Sequence, residues 1–113
     1  MEVIVTDQFI EWYRELDERA LEDVGFVVEL LERRGVKLGF PYSSAIEGSN
    51  IALRELRISS ASRPLRVFYA FDPARDAVLL IGGSKAGNKR FYREMISKSE
   101  SIWQEYIDEN FSG

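Results

Sequence analysis

The sequence predicts an α+β fold in the order β-α-α-β-β-β-α, an antiparallel sheet with helices packed on one face. Three observations carry this. Apolar residues recur at helical spacing in the first third of the chain and again near its C-terminus. Leu65 to Phe71 alternates with period two, with Leu65, Val67, Tyr69 and Phe71 on one face and Arg66, Phe68 and Ala70 on the other. Clusters of Gly, Pro, Ser and Asp separate these segments. With 113 residues, the chain is read as one domain over 1–113. A chain of this size buries roughly two-thirds of the surface it exposes when unfolded, enough for a core without metal or disulfide.

Glu2 to Val5 is a short β-prone stretch with Val3 and Val5 on one face. Thr6 or Asp7 is a suitable N-cap for a helix carrying Phe9, Ile10, Tyr13 and Leu16. A second helix carries Leu21, Val24, Val27, Val28, Leu30 and Leu31, so the pair reads as a helical hairpin. It ends at Arg33-Arg34-Gly35, two cations at the negative helix end followed by a terminating glycine. Val36 to Asn50 reads as loop. Strands are expected over 51–58, 65–71 and 77–81, with Asp72-Pro73-Ala74-Arg75-Asp76 as the second turn. Gly82-Gly83 is expected to break the last strand. A final helix over about 89–107 presents Met95, Ile96, Ile102, Trp103 and Tyr106 as its apolar stripe.

The composition excludes several chemistries. There is no cysteine, hence no disulfide, thiolate metal site or cysteine nucleophile. There is no histidine, which removes the usual general base near pH 7 and the commonest metal ligand. No cofactor and no metal are expected. The N-terminus lacks the basic and apolar regions of a signal peptide, and the longest apolar run, near Val78 to Ile81, is too short to span a bilayer. A cytoplasmic protein without membrane association is expected.

The net charge is −4, but it is unevenly distributed. Residues 1–50 hold 11 acids and 5 bases, residues 51–90 hold 3 and 8, and residues 91–113 hold 5 and 2. A basic middle between acidic ends guides a polyanion through local potential. Turns centred on Ala61-Ser62 and Ala74-Arg75 pair the strands so that Arg57 lies opposite Arg66, and Arg66 opposite Gly83, with Lys85 just beyond. Like charges directly across a strand pair are destabilising, so the pairing calls for a reason, and an anionic ligand is one. Arg57, Arg66 and Lys85 then converge at one end of the sheet, with Arg54, Lys89 and Arg90 as a rim. Such a cluster suits a phosphodiester. Arginine presents a planar fork to phosphate oxygens, and fixed cations stabilise the charge that grows in phosphoryl transfer. In RNA the neighbouring 2′-OH is the nucleophile, so a lysine crowded by arginines becomes the candidate proton acceptor. Tyr92 is a candidate at the start of the last helix, and Tyr42, in the long loop, a candidate for stacking on a base. Read singly, Arg54, Glu55 and Arg57 also fit a solvated strand face, and Gly82 to Lys89 lacks the spacing of a nucleotide-binding phosphate loop.

Three segments together resemble the RelE/ParE superfamily, in its HigB-like, phage-derived branch: Leu53-Arg54-Glu55-Leu56-Arg57, Leu65-Arg66-Val67-Phe68-Tyr69-Ala70-Phe71, and Leu79-Leu80-Ile81-Gly82-Gly83-Ser84-Lys85 followed by Asn88-Lys89. The resemblance implies a RelE-like microbial RNase fold. It further implies the toxin of a type II toxin–antitoxin system, a ribosome-associated endoribonuclease acting on messenger RNA. Its partner would be a cognate antitoxin with a helix-turn-helix domain, through which the complex reaches operator DNA. Carried over to this chain, Arg57, Arg66 and Lys85 match the cationic site, Lys89 the second lysine of the loop, and Tyr92 the aromatic or acid–base position near the final helix. The chain departs from the family in its acidic pI, near 4.9, and in lacking a C-terminal histidine, which leaves the general acid unassigned. The competing classes are a ParE-like inhibitor of DNA gyrase, which shares the fold without the cationic cluster, and a non-catalytic nucleic-acid- or protein-binding module.

Overall fold

In the computed structural model, residues 1–111 are described, and the element order matches the α+β expectation. Strand β1 (Val3–Val5) leads through the Thr6 N-cap, whose hydroxyl accepts from the Phe9 amide, into α1 (Asp7–Arg14). Asp17 caps α2 (Glu18–Arg34) in the same way, through the Ala20 amide. Gly35, at φ 56°, ends it in the left-handed region that favours glycine. A 3-10 turn follows (Gly35–Lys37), and the Phe40–Pro41 peptide is cis. Then come β2 (Ser43–Ala45), β3 (Arg54–Ser60), β4 (Arg63–Phe71), β5 (Ala77–Ser84) and α3 (Phe91–Phe111). Among the described residues, no helix is long and apolar enough to cross a membrane.

The five strands lie in the order β1-β5-β4-β3-β2. β3 and β4 pair in the expected register, with Arg57 opposite Arg66, around a turn in which Ala61 and Ser62 both take positive φ. Two consecutive left-handed residues are what a two-residue hairpin loop requires. β4 and β5 also pair as expected from Leu65↔Ser84 to Phe68↔Ile81. A bulge then shifts the register by one, to Tyr69↔Leu79. Leu80 is the extra residue, which explains how Val78, Leu80 and Ile81 all pack on the same side.

Four details of the sequence reading are corrected. β1 joins the sheet parallel to β5, so the sheet is mixed. The loop before β3 contains a short strand, β2, paired to β3. β5 continues through Gly82-Gly83. The helices cover both faces: α1 and α2 pack with Leu56, Ile58, Leu65, Val67, Tyr69, Ala77 and Leu79, whereas α3 packs with Phe68, Val78 and Leu80 on the other. The period-two pattern of β4 already separates these two sets of side chains. An all-apolar β5 is what a strand buried on both faces requires.

The paired glycines stay in β5 because helices press on them from either side. A Cβ at Gly82 would lie 2.3 Å from the Trp12 ring of α1. One at Gly83 would lie 3.0 Å from the Phe91 ring of α3. Gly82→Ala is therefore expected to cost about 1–3 kcal/mol through overpacking, read as a lowered urea midpoint at unchanged slope.

The far end of α3 is tied to the β4–β5 turn by the Tyr106 hydroxyl, which donates to Asp72 Oδ2 at 2.8 Å. Burial first, and then the Asp72 carboxylate, push the Tyr106 phenol up to about 12. The folded state thus favours the protonated phenol. This contribution is complete below the unfolded tyrosine value, near 10, and is lost as pH rises from there to about 12. Stability should fall across that alkaline window, and Tyr106→Phe should flatten the fall, as followed by denaturant titrations at stepped pH.

Candidate functional site

The site is built on the α3-facing side of the sheet, where β3, β4 and the first turn of α3 meet. Residues two apart on a strand share a face, so Glu55 and Arg57 of β3 project together, and Arg66 arrives from the partner strand. Glu55 is the hub. It is 4% exposed, and each carboxylate oxygen has its own partners. Oε1 accepts from the Tyr92 hydroxyl at 2.7 Å and lies 3.5 Å from Arg66 Nε. Oε2 accepts from Arg57 at 3.2 Å and from the Ser44 hydroxyl at 2.8 Å. The like-charged pair Arg57–Arg66 is thus reconciled from within the chain, by one carboxylate shared between two guanidiniums.

Arg66 is 6% exposed. Its Nε approaches the Tyr92 hydroxyl at 3.4 Å, and its Nη1 donates to the Leu65 carbonyl at 2.9 Å. Tyr92 is held in place by its neighbour Phe91, which packs on Phe68 and fills the space left by Gly83. Burial, and next the hydrogen bond to Glu55, raise the Tyr92 phenol above its ordinary value, with Arg66 opposing. Tyr92 therefore keeps its proton throughout the neutral range. Lys85 follows β5, where its amide donates to the Pro64 carbonyl, and its ammonium lies 5.7 Å from the Tyr92 ring centroid. Arg57 reaches the other way, with its guanidinium 5.5 Å from the centre of the Phe40 ring. Two guanidiniums on one carboxylate leave positive charge in excess, and the Lys85 ammonium over the Tyr92 ring adds to it. Beside them opens a groove whose walls include Phe40, Pro41, Arg57, Ser59, Pro64 and Arg66.

The structure brings Arg57, Arg66 and Tyr92 together, with Lys85 alongside. It does not bring Arg54 to them. Arg54 pairs with Tyr69 in register and so lies on the opposite face, where its guanidinium donates to the Ser43 hydroxyl at 3.1 Å and reaches the Tyr69 hydroxyl at 3.3 Å. Lys89 and Arg90 are exposed in the segment before α3, outside the hydrogen bonds around Glu55. Tyr42 is half-buried, edge-on to Phe26, and its carbonyl accepts from the Arg57 amide at 2.8 Å. Its backbone supports the strand, and its partly buried side chain lines, with Arg57, a neighbouring hollow beside α2. Sequence reasoning passed over Glu55, Ser44 and Phe40. Glu55 was within reach, because the β3–β4 register makes it a diagonal neighbour of Arg66 on the same face. Among the described residues, no group of three or more acidic side chains is placed to hold a metal ion.

A mixed sheet covered on both faces, with a cationic cluster at one end, defines a small α+β protein. Comparison with known proteins narrows this. Residues 11–104 match the family described as "Phage derived protein Gp49-like (DUF891)", and the chain belongs to that family. It is 36% identical over 115 residues to the Mycobacterium tuberculosis (strain ATCC 25618 / H37Rv) protein named "Putative toxin HigB3", covering 100% of this chain and 99% of that one. It is also 36% identical over 99 residues to "Putative toxin HigB2" of the same organism, covering 85% of this chain and 49% of that protein, so the match spans about half of the latter. The HigB-like relationship expected from the three strand motifs is thereby met.

Proposed function

We propose that residues 1–113 form one toxin domain of a toxin–antitoxin pair, and that it cleaves messenger RNA on the ribosome without a metal ion. Family membership and the HigB-named relatives support the toxin reading. The cleavage reading rests on one observation: two cross-strand arginines that line an open groove share one carboxylate with a protonated tyrosine, and a lysine stands over that tyrosine's ring.

In this scheme Arg57 and Arg66 receive the non-bridging oxygens of the scissile phosphate, with their forks oriented in advance by Glu55. The 2′-oxygen attacks phosphorus and the P–O5′ bond breaks, leaving a cyclic phosphate and a 5′-hydroxyl. The proton of the 2′-OH passes to water, and the Lys85 ammonium stabilises the negative charge that develops on the attacking oxygen. Tyr92, whose phenol stays protonated, donates to the departing 5′-oxygen. Lys89 and Arg90 extend the positive surface along the RNA strand. The protein acts in the cytoplasm and is neutralised by a cognate antitoxin carrying a helix-turn-helix domain, through which the complex reaches operator DNA.

The test is controlled expression in a bacterial host lacking the antitoxin, with primer extension on abundant messages. Growth arrest with discrete new 5′ ends in translated messages is the expected result. Arrest with intact messages would point instead to a gyrase-type inhibitor, and absence of arrest to a non-catalytic binding module.

A further inference from the structure

An apolar ring in water normally turns inward. Phe40 does not: it is 79% exposed, more than any other large apolar side chain among the described residues. A single exposed phenylalanine on a surface needs no explanation, but this one stands in a particular place. It forms a wall of the groove whose other walls include Arg57 and Arg66. The Arg57 guanidinium lies over its ring, 5.5 Å from the centroid. Arg57 in turn is fixed by Glu55 Oε2. The ring is thereby held at a set distance from the cations proposed to grip a phosphate.

A flat ring beside a phosphate-binding pair matches an unpaired nucleotide, which offers a charged phosphate and a planar base on one short tether. Aromatic rings and guanidinium planes are the surfaces on which proteins stack the splayed bases of single-stranded RNA. Tyr42, the loop aromatic that sequence reasoning selected for this task, is half-buried, edge-on to Phe26, and does not line this groove. We propose that Phe40 is the base-stacking platform of the groove, receiving one unpaired nucleobase next to the phosphate held by Arg57 and Arg66. The inference rests on the RNA-cleaving reading and deepens it: the substrate is single-stranded at the cut, and Phe40 sets how firmly a nucleotide seats there. Stacking is tolerant of base identity, so Phe40 contributes affinity and positioning while the identity of the base is read elsewhere.

The experiment compares the intact chain with Phe40→Leu and Phe40→Trp. The probe is a short single-stranded RNA of mixed sequence, made uncleavable by 2′-O-methylation, together with a set in which one nucleotide at a time is abasic. Affinity is measured by fluorescence anisotropy. Phe40→Leu should weaken binding about 10-fold, within the range for loss of one stacked base, and Phe40→Trp should restore it. One abasic position should weaken wild-type binding by a similar factor and have no further effect on Phe40→Leu, because the two changes remove the same contact. If the wild type binds RNA and Phe40→Leu binds equally well, or if the abasic penalty persists in Phe40→Leu, the stacking proposal is overturned while the cleavage reading stands. If the wild type binds no free RNA, the stacking proposal falls, and primer extension on translated messages alone decides the cleavage reading.

Discussion

Arg66→Ala is expected to lower RNA cleavage by about 100- to 1,000-fold, the usual cost of removing one fixed donor from a site where negative charge develops. In cells the same change should abolish growth arrest. The argument comes from position. Arg66 is buried, its Nε and Nη1 are already engaged, and it forms part of the groove wall, so its fork is oriented before any substrate arrives. Truncation also leaves Glu55 with one fewer cation, so a loss of fold must be separated from a loss of chemistry. Arg66→Lys serves this purpose. It keeps the charge beside Glu55 but presents a point charge instead of a planar fork. It should fold with a circular dichroism spectrum like that of the parent and retain only a small part of the activity. Undiminished arrest in Arg66→Ala would remove Arg66 from the reaction.

Glu55→Ala carries the largest expected effect on stability, a loss of about 3–5 kcal/mol, since removing one partner of a buried pair leaves its counterpart uncompensated. Here the loss strands two arginines directly opposite one another, one of them almost fully buried. It also removes the acceptor of the Tyr92 and Ser44 hydroxyls. Against a total stability of about 5–15 kcal/mol for a native protein, this is a large share. The double change Glu55→Leu with Arg66→Met should recover much of it, because well-packed apolar residues commonly replace a buried ion pair without penalty. That double variant should be inactive. Urea titrations of the two single variants and the double variant measure the coupling. Additive losses would show that the carboxylate does not hold Arg66. A stable but inactive double variant would mean that the ionic cluster is kept for chemistry and not for folding.

The structure bears out the sequence reading wherever the determinant is local. Thr6 and Gly35 bound the first and second helices through groups within a few residues of them. Ala61-Ser62 sets a two-residue turn, and a two-residue turn sets the register of the hairpin it closes, so the facing of Arg57 and Arg66 was legible before any coordinate. The same register, followed three pairs further, places Arg54 opposite Tyr69 on the other face, which argues against its assignment to the rim. The two faces of β4 were equally plain from its alternation.

What only the tertiary structure decided lies where contacts come from far along the chain. The bulge at Leu80 and the persistence of β5 through Gly82-Gly83 depend on α1 and α3 pressing on the two sides of that strand. The parallel pairing of β1 depends on a partner more than seventy residues away. Glu55 becomes a hub only when β2, β4 and α3 each bring one group to it. That Phe40 stands exposed while Tyr42 is half-buried beside Phe26 of α2 could not be read in advance, because loop residues carry no periodicity. A repeat of two or 3.6 residues tells which face a side chain takes. It does not tell what will be packed against that face, because that is settled by long-range burial, and here long-range burial is what turns a row of charges into a site.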